Sequence, residues 1–410
     1  MILLGKGQRG MEKNKLRSGY TTGTCAAAAA WAAVRLLCSG TKESPVSVLL
    51  PGGRRAAIQV VHFTAEKGGW AMCSVKKDAG DDPDVTNGTL ICAKACLAGQ
   101  EDPGQPCYTS DRYPGVYVTG GEGVGIVTKK GLSCPVGHYA INPVPREMIL
   151  EAAFEARCRY GRPDERIIIE ISIPEGKELA GRTFNPALGI TGGISVLGTT
   201  GIVNPMSENA LLETIRLDIR VRASEGRRIL AAAPGNYGER FLREEFGLDM
   251  SSFVKCSNYI GDTFRMMKEE KIDRVLLAGH LGKLIKVAGG VMNTHSKYGD
   301  RRMEILADCA RKAGLGPEAA DRLHGMNTTD EAAEFLEREG CLRAVMDEAA
   351  GRVKKNLEDG FAVKTEVVLF NQEKGLLAAT EGAAELTVLL KAAACEQSAV
   401  IVKDRALKDR

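Results

Sequence analysis

Three short apolar runs, at residues 227–233, 252–256 and 274–278, recur at similar spacings in the second half of the chain. Each leads through a loop into a stretch of helical pattern, at 239–246, 262–270 and 283–290. Strand–loop–helix units in series predict a parallel sheet with covering helices, because parallel neighbours are joined only by a crossover. The strands then point the same way, and their exit loops, 233–238, 257–261 and 279–282, gather on one edge. All three loops mix glycine with polar side chains. Ligands of open sheets bind outside the carboxyl ends of the strands, so this edge is expected to form a small-molecule crevice. His280, at the end of the third strand, is placed either to face such a ligand or to bond a neighbouring loop.

A second feature lies upstream. Residues 189–207, GITGGISVLGTTGIVNPMS, hold five glycines and three threonines around two short apolar runs. Glycine loses more conformational freedom on folding than any other residue, so this density needs a cause. Backbone brought close to a ligand is one cause; a tightly packed turn region is the other. A comparable choice stands at 18–24, where Thr21, Thr22 and Thr24 precede an alanine-rich helix expected over 25–37. Capping accounts for one threonine. Three of them beside Arg17 also suit an anion held at a helix start.

Between these segments the pattern reads as strands at 46–50, 57–63 and 71–76. The stretch KKDAGDDPDVTNG packs Asp78, Asp81, Asp82 and Asp84 into a turn. It lacks the alternating ligands and terminal glutamate of a calcium loop. It is either a solvated turn or an acidic loop facing a cationic ligand or a proton transfer. A helix is expected over 85–97, which would put Cys92 and Cys96 on one face, too few ligands for a metal site. Residues 121–125, Gly-Glu-Gly-Val-Gly, resemble a nucleotide-binding fingerprint, but Ile126, Val127 and Thr128 read as a strand where a helix is required. The expectation is a hairpin with a tight glycine turn, Glu122 at its tip and Lys129 and Lys130 after it. A helix opens near Pro145 with Arg146 in its first turn. Toward the end, helices are expected at 301–313, 329–339, 342–357 and 381–394, with a strand at 361–370.

The 410 residues suffice for two or three domains. A net charge of +3 makes no global case for nucleic acid or membrane, so an anionic ligand must be met by local basic residues. No apolar run reaches the ~18 residues of a membrane span. The opening MILLGKGQRGMEKNK is too poor in apolar residues for a secretory signal, and 1–14 read as a flexible leader. Twelve cysteines without a framework spacing suit a reducing cytoplasm.

The segments SGYTTGTCAAAAA, KKDAGDDPDVTNG, GGEGVGIVTKKGL, INPVPREMI, RTFNPALGITGGISVLGTTGIVNPMS, APGNYG, KCSNYIG and LLAGHLGKLIKVAGGVMNTHS follow one another between residues 18 and 296. Together they resemble the cobalt-precorrin-5B C1-methyltransferase (CbiD) family of anaerobic cobalamin biosynthesis. The C-terminal part is similar mainly in length and helical character. The resemblance implies a fold of α/β and α+β class. An amino-terminal α+β, sandwich-like domain over 15–224 would precede a Rossmann-like parallel-sheet domain with a helical tail over 225–410. It also implies methyl transfer from S-adenosylmethionine to carbon 1 of a corrinoid substrate, giving cobalt-precorrin-6A. The cobalt belongs to the substrate, and no protein-bound metal is expected.

Such a transfer needs in-line approach in dry surroundings. A base that takes a proton as the ring electrons rearrange is expected among His280, His295 and Glu122. Cofactor contacts are expected at Gly192, Gly193, Gly198, Thr199, Thr200 and Gly201, and at Gly235, Asn236, Asn258 and Gly279. The substrate's rim of carboxylates calls for donors. Candidates in or beside the motif blocks are Arg17, Thr21, Thr22, Thr24, Lys76, Lys129, Arg146, Arg182 and Lys283, with Asp78, Asp81 and Asp82 in the same blocks. Lys255 and Lys286 stand there too.

One departure concerns the cofactor. Rossmann-type methyltransferases commonly place an acid at the end of the second strand to hold ribose hydroxyls. Here Ser257 and Asn258 follow Cys256, and the nearest acid is Asp262. Either Asn258 does this work or the cofactor binds elsewhere, against 192–201. Competing readings are a tetrapyrrole carrier without a cofactor pocket and a nicotinamide oxidoreductase, whose fingerprint lacks its helix. No nucleic-acid or membrane partner is expected. A symmetric homodimer is the base-rate expectation, and transient contact with neighbouring pathway enzymes stays open.

Overall fold

The computed structural model describes residues 16–66, 69–99, 106–162 and 164–393. The leader expected over 1–14 lies outside the described residues. The chain divides into two compact units, Met1–Ser207 and Glu208–Arg410, rather than after residue 224 as the pattern suggests. The helix Glu208–Ser224 accounts for the difference. It buries Ile215, Ile219 and Val221 and packs against the helix Ile260–Glu269 and the strand Phe253–Lys255, so it belongs to the second core.

The first unit is a helical layer on a five-stranded sheet, ordered His62–Glu66, Trp70–Lys76, Leu90–Leu97, Ile167–Ser172, Val116–Gly120. Neighbours are antiparallel except the last pair. The helix Thr22–Ser39 lies between this sheet, the helix Pro143–Tyr160 and the hairpin Val46–Leu49/Arg55–Ile58. Ala26 to Ala30 are 0–1% exposed. A run of alanines lets neighbours approach on every side, so packing as well as propensity explains it. The strand expected over 57–63 is two, Arg55–Ile58 and His62–Glu66. The two long helices run parallel, since Gly23 lies against Pro145 at one end and Cys38 against Gly161 at the other.

Two local expectations are corrected here. Residues 85–97 are not a helix: Leu90–Leu97 is the middle strand of the sheet. Ile91, Ala93 and Ala95 face the buried side and meet the alanine-rich helix, where tertiary packing overrides the helical preference of alanine. Cys92 and Cys96 therefore sit on a strand, Cys92 beside the Ser74 hydroxyl at 3.1 Å. Residues 116–127 are not a hairpin either. Gly123–Val124 runs parallel to Gly193–Ile194, and Ile126–Val127 antiparallel to Ile190–Thr191, so the glycines lace two distant segments together.

The second unit holds the sheet Phe253–Lys255, Ile229–Ala233, Arg274–His280, Lys364–Asn371, Gly375–Ala379, parallel except for the last strand. Leu230, Ala232, Val275, Leu277 and Val367 face one core; Ala231, Ala233, Leu276, Ala278 and Val368 face the other. Burial on both faces is why these strands read as continuous apolar runs. The helices Asn236–Glu244, Ile260–Glu269 and Leu281–Ala288 follow the first three strands as expected. The first strand lies between the second and third, so the order reverses between Ile229–Ala233 and Arg274–His280, the point at which open sheets of this kind bind ligands. The helices Arg302–Lys312, Thr329–Arg338 and Leu342–Phe361 complete the layers. Among the described residues, no helix is long and apolar enough to cross a membrane.

Candidate functional site

In the first unit the three threonines are absorbed by the glycine-rich segment. Thr21 caps its helix, its hydroxyl accepting the Thr24 N–H at 3.2 Å. The Thr22 hydroxyl accepts the Leu197 N–H at 2.9 Å, and Thr24 donates to the Gly201 carbonyl at 2.7 Å. The Gly23 N–H donates to the Leu197 carbonyl at 3.1 Å. The N–H groups of Gly23 and Thr24 and the hydroxyls of Thr22 and Thr24 are thus bonded within the chain at this helix start.

The same packing explains much of the glycine density. A Cβ on Gly198, whose φ is 136°, would lie 2.3 Å from the Thr21 hydroxyl oxygen. One on Gly201, with φ 77°, would lie 2.9 Å from that of Thr24. Gly193 is buried in its ladder with Gly123. Gly192, Leu197, Thr199 and Thr200 stay exposed along the rim. Two parallel helices begin on this one segment, because Asn142 N–H donates to the Val196 carbonyl at 3.0 Å beside the Gly23–Leu197 bond. Their positive dipole ends point toward the exposed loop.

The acidic turn grips the chain's own groups. The Arg17 guanidinium makes a bidentate pair with Asp78 at 2.6 and 2.8 Å, holding that carboxyl down to about 2. Asp81 accepts the Arg17 N–H at 2.6 Å, and Asp82 the Met206 N–H at 2.9 Å. Asp84 starts no helix. It accepts the Thr86 hydroxyl at 2.6 Å and the Lys77 ammonium at 2.6 Å. Burial pulls Asp84 upward, but Lys77 and Thr86 outweigh it, and the carboxyl lies below its ordinary value. Lys76, next to the buried Lys77, is exposed.

The remaining candidates of this unit have other neighbours. The Arg146 guanidinium stacks on the Tyr108 ring at 3.9 Å, and the Tyr108 hydroxyl donates to the Tyr139 carbonyl at 2.6 Å. The Lys129 stem lies over Gly189. Arg182 is exposed just after the short helix Gly176–Ala180. Glu122 is exposed in the laced turn.

In the second unit the predicted loops do gather at the carboxyl edge. Lys283 bridges the order reversal, its Nζ donating to the Pro234 carbonyl at 2.6 Å, and burial lowers its pKa. Asn236 accepts from the Lys255 ammonium at the start of its helix. Gly235 is the capping residue of that helix. Asn258 is tied down: its side chain accepts the Thr294 hydroxyl at 3.1 Å and its carbonyl the Thr294 N–H at 2.9 Å. Gly279 is covered by Leu284, which a Cβ would meet at 2.7 Å, so its bareness serves internal packing. The buried Lys286 ammonium donates to the carbonyls of Thr294 and Gly299 at 3.3 and 3.2 Å.

Both histidines are helix caps. His280 Nδ1 accepts the Gly282 N–H at 3.1 Å, and His295 Nδ1 the Lys297 N–H at 3.1 Å. A neutral imidazole bonded this way carries its hydrogen on Nε2 and is a donor there, not a base. Burial lowers the pKa of His280; Asp330 opposes it, and Arg302 and Lys283 reinforce it. Glu122 belongs to the first unit and the two histidines to the second. Among the described residues, no three or more His, Cys, Asp or Glu side chains gather as a metal site would need.

Residues 9–205 match the family model CbiD, and residues 293–381 match the model for the CbiD C-terminal domain. A cobalt-precorrin-5B C(1)-methyltransferase of Ruminiclostridium cellulolyticum is 44% identical over 87% of this chain and 89% of its own length. One of Moorella thermoacetica is 42% identical over 84% and 89%, and one of a Thermoanaerobacter species 39% over 90% and 96%. The chain belongs to the CbiD family. A crystal structure of a CbiD cobalamin biosynthesis protein from Archaeoglobus fulgidus is 27% identical, covering 72% of this chain and 84% of that one, with a TM-score of 0.35, too low to carry a fold argument.

Two residues of this CbiD chain stand at its sites without a clear mark in the sequence. Lys77 is one of a lysine pair, and alternation along Trp70–Lys76 sends its neighbour Lys76 to solvent; only the fold shows that Lys77 turns in to meet Asp84. Asp330 sits in a charged helical stretch and reaches the carboxyl edge of the parallel sheet only through tertiary packing. No local pattern marks it.

Proposed function

We infer that this chain is a cobalt-precorrin-5B C(1)-methyltransferase, acting in anaerobic cobalamin biosynthesis to give cobalt-precorrin-6A. The observation that carries this is family membership, with a relative 44% identical over most of the chain. The second unit is read as Rossmann-like and as the seat of S-adenosylmethionine, which supplies the methyl group. Its residues fit such a ligand: Gly235 and Asn236 open a helix at the order reversal, and Lys283 holds the two flanking loops at a fixed separation. The alternative seat against 192–201 is weakened because Gly193, Gly198 and Gly201 pack on the protein itself.

The first unit is read as the corrinoid face. Two helix starts direct positive potential at the exposed rim of 197–200, which suits a substrate ringed by carboxylates. Lys76 and Arg182 are exposed and supply further donors. Arg17 is paired with Asp78, so it orders the loop rather than meeting substrate. Of the three candidate bases, Glu122 keeps acceptor oxygens, whereas both histidines use their acceptor nitrogen for capping. A cytoplasmic location and a symmetric dimer complete the reading.

The test is an anaerobic single turnover with methyl-labelled S-adenosylmethionine and cobalt-precorrin-5B, followed by mass spectrometry and carbon NMR. A labelled methyl at carbon 1 is expected. Corrinoid bound without transfer would point to a carrier instead.

A further inference from the structure

The residues that follow the second strand bring no acid for a ribose: Asn258 there is already bonded to Thr294, and the Glu239 carboxylate near the strand's end lies 3.8 Å from the Lys255 ammonium. A carboxylate does stand on the other side of the order reversal. Asp330 lies in the first turn of the helix Thr329–Arg338, whose cap Thr328 accepts the Glu331 N–H at 3.1 Å. Its Oδ1 accepts Asn371 Nδ2 at 3.3 Å and lies 4.0 Å from His280 Nε2. Asn371 and His280 are the last residues of the neighbouring strands Lys364–Asn371 and Arg274–His280, so the three polar groups meet at the carboxyl edge.

The roles of these groups are set by their bonds. His280 Nδ1 accepts the Gly282 N–H, which leaves Nε2 as the donor directed at Asp330. A separation of 4.0 Å is too long for a direct hydrogen bond. It suits one hydroxyl oxygen beside the pair, about 2.8 Å from each partner, accepting from Nε2 and donating to the carboxylate. The ring is held by Phe370, packed edge-on at 6.0 Å between centroids. Asp330 is partly exposed, so a ligand at this edge can reach it.

We propose that Asp330 and His280 form a donor–acceptor pair that binds a ribose hydroxyl of the adenosyl cofactor. The ribose then lies across the end of Arg274–His280, next to the order reversal, and Asp330 takes the part that strand 253–255 leaves unfilled. The assignment rests on the cofactor reading above. His280 is in this role a binding residue and not the base.

Calorimetric titration of the whole chain with S-adenosylhomocysteine and its 2′-deoxy and 3′-deoxy analogues tests the pair. Wild type is expected to bind the parent compound and to lose about ten- to hundredfold affinity when one ribose hydroxyl is removed. Asp330→Ala is expected to weaken the parent compound by a similar factor and to make removal of that hydroxyl nearly silent, which is the signature of direct coupling. Asp330→Asn, which keeps the shape, guards against a folding artefact, and ligand-free melting curves of both variants check it. If wild type binds but each deoxy analogue loses the same factor in wild type and in both variants, the pair is overturned and the cofactor reading stands. No binding of S-adenosylhomocysteine to wild type would overturn both.

Discussion

Lys77 and Asp84 show how much a single contact can weigh in this protein. The Lys77 side chain is 1% exposed and its ammonium meets the partly buried Asp84 carboxylate. Removing Asp84 strands a buried charge, and Asp84→Ala is expected to cost about 3–5 kcal/mol in urea unfolding, clearly more than Lys77→Met. Equal losses for the two variants would contradict this account. Thr24 is a milder case. Its hydroxyl, fully buried, is bonded to the Gly201 carbonyl, and Thr24→Val is expected to cost about 1–3 kcal/mol by the same measurement.

His280 adds a pH dependence at the same scale. Its folded pKa lies below the unfolded value of about 6.5, so the unfolded chain binds more protons in that window. The stability it permits is present above about 6.5 and is lost as pH falls through the folded pKa. The melting temperature is therefore expected to drop between pH 7 and 5, and less steeply in His280→Gln. Three threonines before a helix were legible as capping residues. That Thr22 and Thr24 bond the segment near residue 200 was not, because those partners lie some 175 positions away in sequence.

At the scale of elements, the helix Thr22–Ser39 and the strand Leu90–Leu97 are two sides of one fact. Both are rich in small residues, and local preference reads both as helix. The strand is one because Ile91, Ala93 and Ala95, two residues apart, are buried against the helix. Ala28→Leu, at a fully buried position of that helix, is expected to cost about 1–3 kcal/mol, checked by thermal or urea unfolding. The glycine turn at 121–125 misleads for a similar reason. A hairpin and a two-segment lacing share the same residues, and only long-range pairing with 190–194 separates them. The parallel strands, by contrast, were legible almost to their ends, because burial on both faces leaves an unbroken apolar run.

At the scale of the whole molecule, each unit has its own core and its own candidate surface. Hydrogen exchange is expected to separate them. S-adenosylhomocysteine should protect 234–238 and 280–283, whereas a corrinoid ligand should protect 197–201; the reverse pattern would exchange the two assignments. The sequence by itself determined the family, the reaction class, the parallel sheet and the edge where its loops collect. Those features are written in periodicity and in contiguous motifs, which depend on near neighbours. Only the tertiary structure decided that Thr22 and Thr24 hold the glycine loop, that Arg17 pairs with Asp78, that both histidines are caps, and that Asp330 reaches His280. Each of those depends on where distant backbone is brought to within a hydrogen bond's length, and no local pattern carries that distance.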